Sequence, residues 1–284
     1  MTGKKPRPST EPMYSGGHRR DFPITSGYNT AEYTDFISSH IRNSQNILIS
    51  QSMCHGTFGG CFSPSKRYSP RPAVSWGIRK NYDTFLELVR KQWTSKNGKC
   101  KRIYSLACDE NLGFGVFFME NYGTGQTIIT NISDIKKKWD EGFEITACAA
   151  RGSTFYVIMT EDTEEYKDKA QTWFTRSTWA EAENEIHKEY KEGKAMLTGL
   201  CYSSGLGQYF VVMTETPEDQ SCHWFDDKIA RSKWMDEKSE KGFHPTIIFE
   251  DPTDQKTLVV MTKDDNRSGL DYHCTYSQKI VFSR

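Results

Sequence analysis

Apolar residues recur along this chain in two alternating rhythms. Helical spacing brings Phe85, Val89 and Trp93 to one face, and later Trp179, Ala182, Ile186 and Tyr190. Between such stretches lie short runs rich in β-branched and aromatic residues, at 114–119, 155–159, 209–213 and 258–261. Gly, Ser, Asp and Thr bound them, which predicts strands and turns. The two rhythms alternate, so the chain reads as short helices set among many short strands.

The alternation is a repeat. Lys138-Trp139-Asp140-Glu141-Gly142-Phe143-Glu144-Ile145-Thr146 leads to Phe155-Tyr156-Val157-Ile158-Met159-Thr160 and then to Gln171-Thr172-Trp173-Phe174. Glu189-Tyr190-Lys191-Glu192-Gly193, Tyr209-Phe210-Val211-Val212-Met213-Thr214 and His223-Trp224-Phe225 follow the same order. So do Lys233-Trp234, Lys241-Gly242-Phe243, Leu258-Val259-Val260-Met261-Thr262 and His273-Cys274-Thr275-Tyr276. A weaker copy runs from Gln92-Trp93 through Met119-Glu120 to Gln126-Thr127-Ile128, and the aromatic anchors 93, 139, 190 and 234 are 46, 51 and 44 residues apart. Asn81, Ser133 and Thr178 are the helix-capping candidates, with Thr178 and Glu181 spaced as a capping box. Gly142 and Gly193 stand where a left-handed helix C-cap favours glycine.

One such unit cannot bury its own apolar face, so the units pack on one another. The pattern predicts a mainly β fold with short helices: four to five helix-plus-three-strand repeats in one domain over residues 31–284. The units lie near 80–130, 131–177, 178–226 and 227–284. A diverged unit at 31–79 is set out with a helix near 31–43 and strands near 47–53 and 73–78. A closed, propeller-like ring is the preferred arrangement because closure removes sheet edges; an open β-solenoid or a pair of packed sheets stays open.

Charge removes some partner classes. Lys plus Arg and Asp plus Glu are 37 each, leaving no global field for nucleic acid or a membrane surface. Aromatic residues make up 13% of the chain, which favours folding over disorder. The N-terminus lacks the apolar core of a signal peptide, and the apolar runs are too short to span a bilayer. The eight cysteines are therefore expected as free thiols in a reducing, cytoplasmic setting.

The run Trp139 to Thr146, followed by Tyr156-Val157-Ile158-Met159, resembles the repeat in the C-terminal region of plant casein-kinase-1-like protein kinases. The resemblance covers roughly residues 80–284. The kinase motifs themselves are absent, and His18-Arg19-Arg20-Asp21-Phe22 is a chance likeness in a tail. The resemblance implies a docking or regulatory module and carries no catalytic residue with it.

The search for chemistry yields little. Gly56-Thr57-Phe58-Gly59-Gly60 and Ser203-Ser204-Gly205-Leu206-Gly207 lack the ending of a phosphate loop and read as turns. Cys54, His55 and Cys61 are the weak metal candidates, without the paired spacing of a structural zinc site. Cys222-His223 and His273-Cys274 read as repeat-related core packing, and Glu161-Asp162 and Glu164-Glu165 as solvated loop residues. No catalytic residue and no cofactor is expected.

Two segments outside the repeats suit partners. Residues 1–30 form an extended basic arm, where Lys4, Lys5, Arg7, Arg19 and Arg20 outweigh Glu11 and Asp21 for a net charge of about +3. The basic stretch 63–72 carries two Ser-Pro steps, making Ser63 and Ser69 phosphorylation candidates. These features favour a non-catalytic protein-binding scaffold, with acidic surfaces such as tubulin as compatible partners in a cytoskeletal or ciliary setting. A regulatory subunit of a protein kinase, and an enzyme or small-ligand binder with a central pocket, are the alternatives.

Overall fold

A computed structural model describes residues 46–54, 57–64, 74–94, 100–163, 166–167, 169–193, 195–216, 219–254, 256–263 and 273–276, with side chains only between 74 and 263. In chain order the elements begin with β1 (Asn46–Cys54), β2 (Thr57–Pro64), β3 (Val74–Arg79), α1 (Tyr82–Trp93), β4 (Lys101–Asp109) and β5 (Gly113–Glu120). Next come β6 (Gln126–Ile129), a 3-10 turn (Ile132–Asp134), α2 (Ile135–Asp140), β7 (Phe143–Arg151) and β8 (Thr154–Glu161). Then follow β9 (Gln171–Arg176), α3 (Trp179–Gly193), β10 (Ala195–Ser203) and β11 (Gln208–Glu215). The last are β12 (Asp219–Phe225), α4 (Lys228–Glu240), β13 (Phe243–Glu250), β14 (Thr257–Lys263) and β15 (His273–Tyr276).

Among the described residues the strands form five antiparallel sheets of three: β1-β2-β15, β3-β5-β4, β6-β8-β7, β9-β11-β10 and β12-β14-β13. The fold is mainly β with short helices. The sequence unit and the sheet are offset by one strand. The third strand of each unit (β6, β9, β12) leaves its own hairpin and flanks the hairpin of the next unit. β15 does the same across the whole chain, pairing with β2. β4 lies beside β1 and β7, β10 beside β7 and β13, and β13 beside β1.

The middle strands show why this works. β5 is buried along its whole length, and β8 and β11 along all but their ends. A strand covered on both faces needs no polar alternation. Tyr156 and Ile158 of β8 pack with Phe85, Phe114 and Phe118, while Val157 and Met159 turn the other way, towards Phe210 and Val212. In turn Tyr209, Val211 and Met213 meet Leu258 and Val260 of the fifth sheet. These core layers are each shared by two consecutive sheets, and Phe155 of β8 against Phe210 of β11, with ring centroids 5.3 Å apart, is one such shared contact.

Several local expectations are met. Asn81 accepts a hydrogen bond from the Thr84 N–H at 3.0 Å, and Thr178 and Glu181 exchange the two bonds of a capping box. Gly142 sits at φ +88°, where a side chain would be strained. Others are corrected. Asn131, not Ser133, caps the turn before α2, accepting from the Ser133 N–H. Gly193 is the last residue of α3 rather than a cap beyond it. The stretch 57–60, read as a turn, lies in β2, as do Ser63 and Pro64 of the expected basic loop. Cys222 and His223 are exposed on β12 rather than packed in the core; His223 lies against Trp234, with ring centroids 5.9 Å apart. The register also moves one alignment. Ile103 pairs with Phe118 where Ile145 pairs with Met159, so Phe118 takes the methionine place and Met119 the threonine place.

Candidate functional site

The first hairpin strand of each sheet (β1, β4, β7, β10, β13) carries a bulge that leaves one residue unpaired. In three sheets that residue is a threonine, and its hydroxyl meets the threonine of the Met-Thr pair: Thr146 with Thr160 at 2.8 Å, Thr198 with Thr214 at 2.7 Å, Thr246 with Thr262 at 3.0 Å. A glutamine of the outer strand then donates to that second threonine: Gln126 at 2.8 Å, Gln171 at 3.1 Å, Gln220 at 3.2 Å. The same amide reaches across to the preceding sheet. Gln171 accepts from the Ile145 N–H at 2.8 Å and donates to the Ile145 carbonyl at 3.0 Å. Gln126 does this at Ile103 and Gln220 at Leu197. The bulge frees backbone groups that the glutamine of the next sheet then satisfies. The Met-Thr signature is thus half packing and half a polar clasp between sheets.

At the other end of these strands the hairpin tips are tied together. The Arg151 guanidinium donates to the Lys80 carbonyl at 2.8 Å and the Glu110 carbonyl at 2.9 Å. Glu110 Oε1 accepts from the Gly152 N–H at 2.5 Å and from Ser204 Oγ at 3.0 Å. The Gly152 carbonyl receives Ser203 Oγ at 2.7 Å and the Gly205 N–H at 3.0 Å. On the next tip, buried Asp251 accepts from the Tyr209 hydroxyl at 2.5 Å and from the Thr253 N–H at 2.8 Å. Burial, then that hydrogen bond, pushes the Tyr209 hydroxyl well up from its ordinary value.

Between the tips lies a cavity of about 390 Å³, lined by β4, β7, β10, β13 and their turns. Its walls include Leu106, Leu200 and Ile248, and the thiols of Cys108, Cys148 and Cys201. Burial pushes the Cys108 thiol well up, and burial with a hydrogen bond to Cys148 does the same to Cys201. Both are therefore protonated at neutral pH, the inert form of a thiol. Asp109, Glu110 and Glu250 bring carboxylates to the cavity, and Tyr202 and Phe249 bring aromatic rings. Burial raises the Glu250 carboxyl above its usual range, an effect that Arg231 partly opposes.

Of the residues singled out from sequence, Ser204 lines the cavity, and the metal and arm candidates fall where no side chain is described. Cys54 ends β1, and Cys61 sits in β2 opposite Ser50 and Cys274 in register, while His55 is outside the described residues. Among the described residues no group of three metal-ligating side chains is assembled. Ser63 lies in β2 opposite Ile47. Ser69, Lys4, Lys5, Arg7, Arg19 and Arg20 are outside the described residues, as are Glu164 and Glu165. Glu161 and Asp162 share the Thr124 hydroxyl, at 3.2 and 3.3 Å. The residues 203–207 form the turn between β10 and β11. Among the described residues no helix is long and apolar enough to cross a membrane.

The sequence reading missed the clasp and the cavity. The clasp had a visible signal, a glutamine in the first or second place of three of the third strands, at 126, 171 and 220. The cavity had none: its walls come from equivalent places in four sheets, such as Leu106, Cys148, Leu200 and Ile248, but those places share no residue type that a sequence pattern would show. Comparison with protein-family models and with curated proteins finds no match to this chain.

Proposed function

We propose that this chain is a non-catalytic binding scaffold shaped as a closed five-bladed ring, with the hairpin-tip face as its docking surface. The succession of neighbours β1, β4, β7, β10, β13 and again β1 supports closure, as does β15 in the first sheet. The observation that carries the docking reading is the set of tied tips. Arg151, Glu110, Ser203 and Gly205 spend their hydrogen bonds on holding three hairpins in fixed relation. A surface held in place loses little freedom when a partner binds. Leu206, 46% exposed, stands on one of these tips.

Site-specific photo-crosslinking in native extract tests the reading. A photoreactive residue in place of Leu206 is expected to give a discrete protein adduct, and one in place of exposed Lys241, at the opposite end of the strands, to give none. Equal labelling from both positions, or none from either, would count against the tip face. A second reading, a small ligand held at the centre, is favoured by the cavity itself.

A further inference from the structure

We propose that Cys148 and Cys201 are a peroxide-reactive thiol pair that closes into a disulfide between the third and fourth sheets. Such a pair acts independently of the docking face and of any central ligand.

The register brings the two thiols together. Cys148 of β7 stands opposite Val157, and Cys201 of β10 opposite Phe210. Val157 and Phe210 belong to the core layer between these sheets, and paired residues share a face, so both thiols look into that seam. Cys201 is hydrogen-bonded to Cys148 across it. β7 and β10 approach to within 8 Å at their Cα atoms, close to the span of about 4.4–6.8 Å that a disulfide bridges. Cys108 belongs to the preceding layer, with Phe114 and Tyr156, and serves as an internal control.

The fourth sheet makes room for the sulfur. Just past the bulge the second, third and fifth sheets carry Ser105, Ala147 and Ile247, whereas the fourth carries Gly199. A Cβ on Gly199 would lie 3.1 Å from Cys148 Sγ. Gly199 is not among the glycines at positive φ, so its small size answers to space rather than to backbone strain.

Access assigns the roles. Both thiols border the cavity, Cys148 half-buried and Cys201 buried, so a peroxide entering it meets Cys148 first. The Cys148 thiolate attacks one peroxide oxygen. An S–O bond forms, the O–O bond breaks, and the departing hydroxide takes up the proton released by the thiol, leaving as water. Cys201 then attacks Cys148 Sγ: the S–S bond forms, the S–O bond breaks, and the hydroxide carries off the Cys201 proton as a second water. Two thiols are oxidised and one peroxide is reduced. Burial keeps Cys201 protonated, so contact with its target drives this second step. Sulfenic acid and disulfide are both uncharged, which suits a cavity whose described lining holds Asp109 and Glu110 and no Lys, Arg or His.

Peptide mapping of the full chain tests this. The reduced protein is treated with equimolar hydrogen peroxide, its remaining thiols are alkylated, and it is digested with disulfides intact. The dominant product is expected to join the peptides bearing Cys148 and Cys201, to disappear on reduction, and to exceed its yield from urea-unfolded chain by at least about tenfold. Cys108→Ser is expected to leave it unchanged. Cys201→Ala is expected to strand Cys148 as sulfenic acid, raising its trapping by dimedone by about tenfold. Should that variant misfold, the mapping of the parent chain stands without it. Cys148 and Cys201 both recovered as alkylated thiols would overturn the proposal. So would a link from either to another cysteine, or an equal yield from the unfolded chain.

Discussion

Gln171 holds two sheets with one amide, making three hydrogen bonds in a partly buried place. Gln171→Leu keeps the bulk but leaves the Ile145 N–H and carbonyl and the Thr214 hydroxyl short of partners. Unsatisfied buried groups cost more than the net worth of the bond removed, so the expected loss is about 3 kcal/mol. Thr214→Val keeps the shape and removes one hydroxyl, so about 1 kcal/mol is expected. Urea unfolding checks both through the midpoint at unchanged slope. A Gln171→Leu midpoint within error of the parent would sink the clasp as a stabilising device. At this scale the sequence was half legible. Met159 and Met213 are fully buried and were read correctly as packing. Thr160 and Thr214 are equally buried, but their reason lies in side chains more than a dozen residues away, which no local pattern can show. The second sheet makes the coupling plain. There Val74, Met119 and Tyr104 stand in the three clasp places, so the polar set is replaced together.

The elements owe their positions to hairpin tips as much as to cores. A Cβ placed on Gly205 would lie 2.6 Å from the Ser153 nitrogen and 2.7 Å from the Gly152 carbonyl carbon. Backbone cannot yield as a side-chain end can, so Gly205→Ala must push the β10–β11 tip off the β7–β8 tip. The Gly205 N–H and Ser203 hydroxyl would then lose the Gly152 carbonyl. A loss of about 2 kcal/mol is expected, with faster amide exchange at Gly152 and Gly205 and little change in β14. Unchanged exchange at Gly152 would mean that the tips are not mutually held. Strands and helices themselves were largely legible, because both-face burial and helical spacing are written in consecutive residues. The pairing was not. β6, β9 and β12 follow their own hairpins in sequence yet flank the next ones. β2 was missed because Gly59, Gly60 and Pro64 carry turn chemistry inside a strand.

At the scale of the whole molecule the seams are unequal, and this yields a sharp test of closure. Clasps join the second sheet to the third, the third to the fourth and the fourth to the fifth. The seams that flank the first sheet differ. Pro245 occupies the place of Ile145 and Leu197 and has no N–H to donate, while Val74 stands where a glutamine amide would be. In a closed ring the first sheet therefore relies on β15, whose pairing with β2 ties the end of the chain to its beginning. Deleting residues 271–284 distinguishes the arrangements. In an open array each sheet depends on its nearest neighbours, and loss of one edge strand frays only the sheet that contained it. In a ring the loss opens a seam and relaxes every sheet, because each is held from both sides. The closed ring predicts that amide protection in β8 and β11, far from the deleted strand, falls by about tenfold or more along with that of β1 and β2. Protection lost in β1 and β2 alone, with β8 and β11 unchanged, would describe a row of sheets instead.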